Sequence, residues 1–224
     1  MAVNVQAYTE ISKKLQEKNC RLVAVSKTKP VPDILQLYEL GQRDFGENYV
    51  QELSEKQSKL PADIRWHFIG HLQSNKVKFI APFVHLIHGV DSFKLLIEIN
   101  KQAQKVNRVI DCLLQVHIAQ EETKFGFDEN ELNDLLINKQ PELENLKHIR
   151  ISGFMGMASF SDDVKKVRNE FHYLKALSDK FASLEIANCH LSILSMGMSG
   201  DYNIAIEEGS NMVRIGSLLF GARS

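Results

Sequence analysis

Leu22-Val23-Ala24-Val25-Ser26-Lys27-Thr28-Lys29-Pro30 is a short apolar run that gives way to a serine and a lysine, after which Pro30 and Pro32 open the next element. An apolar, β-branched run bounded by turn residues reads as a buried strand. An ammonium at the end of such a strand is costly unless something needs it there. Lysine gains a use when burial lowers its pKa from about 10.4, because the free amine is then a nucleophile for carbonyls. On this run alone, a Lys27 that snorkels to solvent is the more ordinary reading; the rest of the chain reverses that.

Outward from this run, strand-like and helix-like segments alternate. A helical pattern places Ile34, Leu37, Tyr38 and Gly41 on one face, followed by a strand at 44–46 and a helix at 47–59 that Pro61 terminates. Strands are expected at 65–69 and 84–90, with a short helix at 74–80 between them. Asp91-Ser92 resembles an N-cap for a helix carrying Phe93, Leu96, Ile97 and Val106. The longest strand candidate is 109–118, then a helix at 129–138 and an extended segment at 149–155. The clearest helix runs over 164–181, where Val164, Val167, Phe171, Leu174, Leu177 and Phe181 step by three or four and Ser161-Asp162 can cap it. Strands at 192–196 and 213–215 flank a helix at 202–208, and an extra N-terminal helix covers 7–17.

Such alternation implies a parallel sheet wrapped by helices. About eight strand–helix units in 224 residues favour a single (β/α)8 TIM barrel with an extra N-terminal helix over an open doubly wound sheet. No Gly/Ser-rich linker, low-complexity tract or fixed-period repeat interrupts the chain, so residues 1–224 are expected to form one domain.

Composition bounds the partners. Hydrophobic content of 44% with 25% charged residues is ordinary for a globular protein. A net charge of −1 lacks the basic excess of a nucleic-acid surface, and the dispersed lysines make no membrane-binding tail. Cys20, Cys112 and Cys189 are odd in number and far apart, which suits reduced thiols in a cytoplasmic protein. The N-terminus lacks a signal peptide's apolar core, and no apolar stretch approaches membrane-spanning length.

In a barrel of this kind, functional groups collect at the C-terminal ends of the strands. Lys27 follows strand one, Glu47 and Asn48 strand two, Gly70 and His71 strand three, and Met155 and Gly156 strand six. Strand seven ends in SMGMSGD (195–201) and strand eight in VRIGSLLFGAR (213–223), each with glycine and serine where strand gives way to helix. Glycine lets a ligand approach the backbone, hydroxyls donate, and barrels frequently bind phosphate in the loops after strands seven and eight. Arg214, on strand eight, needs a partner, either a carboxylate such as Glu207 or Glu208 or a ligand atom on the barrel axis. A lysine opposite a phosphate site, with an arginine between, suits pyridoxal 5′-phosphate. Lys27 would form a Schiff base with the aldehyde, Ser199 and Ser217 would hold the phosphate, and Arg214 would face the pyridine nitrogen. An arginine's pKa above about 12 makes it a poor proton donor to that nitrogen, so the ring would be a weak electron sink.

The blocks AVSKTKP (24–30), GQRDFGENYVQE (41–52), HFIGHLQSNK (67–76), SMGMSGD and VRIGSLLFGAR resemble the pyridoxal-phosphate homeostasis family, over about residues 22–223. The resemblance implies a barrel similar to the cofactor-binding domain of alanine racemase and eukaryotic ornithine decarboxylase. It implies that the cofactor lysine is Lys27, that the phosphate-binding groups are Ser199 and Gly216 with Ser217, that the ring arginine is Arg214, and that the asparagine of the FGENYVQE block is Asn48. The family pattern often has threonine where Ser217 stands, which keeps the hydroxyl.

Other signals are weaker. His67 and His71 flank a glycine at a strand end, not one helical face, which argues against a metal site. His85 and His88, an odd number of residues apart, would point to opposite faces of a strand. The cysteines suit packing positions, and Lys124 suits an exposed loop, with Lys29 and Lys76 as further lysines near the site. Three function classes remain: a carrier of pyridoxal phosphate that serves apo-enzymes needing it, a racemase or decarboxylase of low activity, and an interaction module that uses the cofactor as a signal. Racemisation needs two placed bases, and Lys27 is the one obvious candidate. The chain stops shortly after the loop at Gly216, with no β-rich domain of the kind the related enzymes add, so a monomeric carrier is the expectation.

Overall fold

The structure, a computed structural model, describes residues 3–119 and 125–221; Lys124 and Arg223 lie outside them. Eight strands form the wall: β1 Arg21–Val25, β2 Asp44–Glu47, β3 Arg65–Phe68, β4 Leu86–Val90, β5 Ile110–Val116, β6 Ile149–Gly156, β7 Cys189–Ser195 and β8 Met212–Ile215. Each pairs in parallel with the next, and β1 closes on β8 through Arg21 to Met212 and Ala24 to Ile215. The result is the (β/α)8 barrel expected from the alternation.

Period-two alternation along each strand divides the apolar residues between two layers. Leu22, Ala24, Phe45, Trp66 and Phe68 face outward and pack with the helices in the large core. Val23, Leu86, Leu113, Met155 and Met212 form a separate buried cluster inside the barrel. The barrel is therefore packed through its centre.

The helices follow in chain order: α1 Val5–Glu17, α2 Val31–Glu39, α3 Val50–Gln57, α4 Val77–Ile80, α5 Phe93–Lys105, α6 Glu129–Asn133, α7 Gln140–Glu144, α8 Val164–Phe181, α9 Tyr202–Glu207 and α10 Ser217–Phe220. α1 buries Tyr8, Ile11 and Leu15, and Asn4 caps it. α2 starts directly behind Pro30, with Pro32 in its first turn, where a missing N–H costs nothing. α5 begins at Ser92, whose hydroxyl accepts from the Leu95 N–H, so the expected cap is the one used.

Several boundaries differ from the sequence reading. The helix expected from residue 47 begins at Val50, because Glu47 completes β2 and Tyr49 is extended. Gly41 lies beyond α2, not on its face. The cap of α8 is Asp163, whose side chain accepts from the Lys165 and Lys166 N–H groups; Ser161 instead accepts from the Asp163 N–H. β6, with eight residues, is longer than β5, with seven. The 129–138 segment is α6 followed by a π turn over Asp134–Asn138. Among the described residues, no helix is long and apolar enough to cross a membrane. All three cysteines are free, with Cys20 and Cys112 buried and Cys189 half-buried. Burial pushes the Cys20 thiol up to about 11 and Cys189 to about 12, and raises Cys112 as well, so they stay protonated.

Candidate functional site

A cavity of about 450 Å³ opens at the C-terminal ends of the strands, and Lys27, Asn48, Ser199, Arg214, Gly216 and Ser217 all line it. Ile69, Met157, Phe160 and Met198 supply an apolar wall. The six residues singled out from sequence thus share one space although β1, β2, β7 and β8 carry them. Lys27 is half-buried just past β1. The Gly216 N–H donates to Ser199 Oγ at 3.2 Å, which ties the loop after β7 to the loop after β8. A Cβ added at Gly200 would have no atom within 4 Å, so the backbone beside Ser199 faces open space. Asn48 lines the same cavity, and its buried Oδ1 has no hydrogen-bond partner among the described residues.

Arg214 is 4% exposed. Its guanidinium donates to the Ser195 carbonyl (2.9 Å), to Ser195 Oγ (2.7 Å) and to the Gly156 carbonyl (3.0 Å). Glu207 and Glu208, the alternative partners, bind Arg168 instead, each at 2.6 Å. Burial pushes Arg214 down to about 10, with Asp201 acting against the shift, and the group keeps its charge at neutral pH. A buried cation held by neutral oxygens is expensive.

Behind Arg214 a chain of hydrogen bonds runs down the barrel interior. Arginine only donates, so Ser195 Oγ accepts from it and has its own O–H left for His88 Nδ1 at 3.1 Å. His88 Nε2–H then donates to His67 Nδ1 at 2.9 Å, and His67 Nε2–H to Asp44 Oδ1 at 2.9 Å. Arg65 closes the far end on both Asp44 oxygens, at 2.8 and 2.6 Å. Donor counting assigns both imidazoles as neutral Nε2–H tautomers. Burial lowers the pKa of each, which agrees. Burial alone would raise the Asp44 carboxyl, but hydrogen bonds from Arg65 and His67 outweigh it and hold the group well below the usual range.

A second buried set lies beside Lys27. Glu47 is fully buried and accepts from Ser26 Oγ (2.6 Å) and Lys56 Nζ (2.7 Å). Burial raises its pKa against the pull of Lys56. Lys56 also donates to the Ser26 carbonyl and to Glu52, both at 2.7 Å.

The structure does not bring His67 and His71 together. His67 is inside the barrel, while His71 pairs with Asp91 at 3.1 Å and stacks on Phe125 at the mouth. His85 and His88 do not diverge as a regular strand would place them: both rings lie against His67, at centroid distances of 5.4 and 5.2 Å. His85 precedes β4, and the β4–β5 ladder shifts register between Ile87 and Val90. Asp44, His67 and His85 each bring a ligand atom within 4.8 Å of the others, but the Arg65 guanidinium already covers the Asp44 carboxylate and opposes a cation there.

Sequence reading draws no link from Ser195 and His88 to Arg214, and of the Ser26–Glu47–Glu52–Lys56 set beside Lys27 it marks only Glu47, at the end of a strand. The Glu52–Lys56 spacing of four was a visible signal for part of the second set; the first joins residues 107 apart in the chain and left no local sign.

A lysine-bearing barrel mouth of this form defines a class, that of the alanine racemase N-terminal domain, and the sequence matches that family over residues 4–224. Among individual relatives, the pyridoxal phosphate homeostasis protein of Aquifex aeolicus is 42% identical over 208 residues, covering 92% of this chain and 89% of that one. The protein of the same name from Pasteurella multocida is 38% identical over 225 residues, covering 98% and 93%. The chain belongs to the pyridoxal phosphate homeostasis protein family. Among solved structures, PipY of Synechococcus elongatus without pyridoxal phosphate superposes with a TM-score of 0.88 at 32% identity, covering 96% of this chain and 99% of that one; the PipY structure with pyridoxal phosphate bound gives 0.86.

Proposed function

We propose that this chain binds pyridoxal 5′-phosphate at the barrel mouth through Lys27 and acts as a carrier or reservoir of it, with little or no catalytic turnover. The single observation that carries the reading is the convergence of Lys27, Arg214, Ser199 and Ser217 on one cavity, with the buried arginine held by neutral oxygens alone among its hydrogen-bond partners. The unpartnered Oδ1 of Asn48 and the open space over Gly200 fit a polar ligand with a phosphate end. Similarity to PipY, which has been solved with pyridoxal phosphate bound, points the same way.

Pyridoxal phosphate supplies an aldehyde that an amine captures with loss of water, an aromatic ring nitrogen and a phosphate dianion. Lys27 would provide the amine. Ser199 and Ser217 would donate their hydroxyl protons to phosphate oxygens, in charge-assisted bonds of about 1.5–3 kcal/mol each. Asn48 would bind a polar atom at the ring edge. Arg214 keeps its proton at neutral pH and would only donate a hydrogen bond to the ring nitrogen. A nitrogen left unprotonated withdraws electrons weakly, which disfavours carbanion chemistry and so favours holding over turnover.

Borohydride treatment of the cofactor-loaded protein, followed by peptide mass analysis, should mark Lys27; marking of Lys29, Lys76 or Lys124 alone rejects the assignment. Incubation with L- and D-alanine, lysine and ornithine should give turnover far below 1 s⁻¹, the lower end of the usual enzyme range of about 1–10³ s⁻¹. Faster turnover would make a racemase or decarboxylase the better reading. Delivery to an apo-enzyme that needs pyridoxal phosphate, without turnover, would support the carrier.

A further inference from the structure

Lys27 sits second in a turn from Ser26 to Lys29, closed by the Lys29 N–H on the Ser26 carbonyl at 3.0 Å. The third residue, Thr28, has φ +64°, a left-handed conformation that β-branched residues rarely adopt. Something outside the turn must hold it. The Thr28 N–H donates to Glu52 Oε1 at 2.6 Å. On the other side of Lys27, Ser26 is held at three atoms: its N–H donates to the Gly46 carbonyl, its hydroxyl to Glu47, and its carbonyl accepts from Lys56.

Lys56 joins the two sides. Its ammonium has three protons and three acceptors near 2.7 Å, namely the Ser26 carbonyl, Glu47 and Glu52. Lys56 is 6% exposed and Glu47 is fully buried, so water competes little for these bonds. The carboxylates come from the end of β2 and the first turn of α3, and the turn residues they engage are the two that flank Lys27.

We propose that Glu52 and Lys56, braced by Glu47, are positioning residues that hold the Ser26–Thr28 backbone in a strained turn and so fix where the Lys27 amine enters the cavity. This rests on the reading of Lys27 as the attachment residue. The strain would fall on a residue at which glycine would adopt the same positive φ without a steric penalty, which makes the arrangement testable.

The test uses the full chain and its Glu52→Ala, Glu52→Gln and Glu52→Ala/Thr28→Gly variants. Each is titrated with pyridoxal phosphate, the Lys27 linkage is fixed with borohydride and quantified by mass, and absorbance is followed against pH; melting curves of the apo forms report folding separately. Glu52→Ala is expected to weaken linkage at least tenfold and to move the pH midpoint of the absorption band while the protein remains folded. Glu52→Gln, which keeps an acceptor for the Thr28 N–H without the charge, should fall between it and the parent, and Thr28→Gly should recover part of the loss. A folded Glu52→Ala or Glu52→Gln protein with parental linkage and midpoint overturns the proposal, as does a double variant with no recovery. If Glu52→Ala does not fold, Glu52→Gln decides. A parent protein that links elsewhere than Lys27 sinks the proposed function itself, whereas normal parent linkage with indifferent Glu52 variants sinks only this inference.

Discussion

Ser195 shows how a single hydroxyl can set the chemistry of a site it does not line. It accepts from Arg214 and, through its own proton, fixes the tautomer of His88 and then of His67. Ser195→Ala removes an acceptor from a buried cation and a donor from a buried imidazole at once. The expected cost is about 1–3 kcal/mol in urea unfolding, because the stranded partners keep their desolvation penalty. Cofactor affinity should fall as well, since Arg214 loses one of its restraints; a titration giving parental affinity would show that the carbonyls of Ser195 and Gly156 suffice. At the proposed phosphate end, replacing both Ser199 and Ser217 by alanine should weaken cofactor binding at least tenfold, measured by the same titration. An unchanged affinity would move the phosphate elsewhere.

At the scale of elements, α8 and the β6–β7 pair give contrasting predictions. The α8 cap is worth about 1 kcal/mol, so Asp163→Ala should lower the melting temperature by a few degrees, while Asp162→Ala should not. Gly153 on β6 has φ +148°, and an added Cβ would lie 1.9 Å from the Ile193 carbonyl oxygen of β7. The β6–β7 ladder changes register beside it, between Ile151 and Gly153. Gly153→Ala should therefore cost roughly 3 kcal/mol or more, or prevent folding, as read by calorimetry. A melting temperature within a degree or two of the parent would contradict this packing.

The whole molecule should be sensitive to acid because of the polar chain through its centre. His67 and His88 are buried as neutral rings, with pKa values below 6.5, and burial takes His85 down to about 4. Below pH 6.5 the unfolded chain binds protons that the native histidines refuse. Stability is then lost as pH falls, by up to about 1.4 kcal/mol per pH unit for each fully buried ring. Asp44 adds to the loss further down, below about pH 3.9, because its native pKa is depressed. Glu47, raised by burial, acts in the opposite sense as pH rises past its unfolded value, but it is one group against several. Calorimetry at pH 8, 6.5 and 5 should show little change across the first interval and a clear fall across the second. A flat profile down to pH 5 would mean that these rings are solvated.

The sequence by itself determined the barrel and picked out, at the ends of its strands, residues that line one cavity. That information is local: apolar runs with period two or three to four, glycine and serine where strands end, and Lys27 one step past a buried strand. Even so, the helix expected over 47–59 took in Glu47, whereas pairing of β2 with β3 draws that residue into the sheet. Only the tertiary structure decided what Arg214 touches, since its acceptors lie on β6 and β7, and Glu207 and Glu208 were nearer in sequence but committed to Arg168. The same holds for the column from Asp44 to Arg214 and for the Glu47–Lys56–Glu52 clamp, whose members meet because the barrel closes. Closure puts residues from non-adjacent strands within hydrogen-bond distance, and no pattern confined to one element carries that distance.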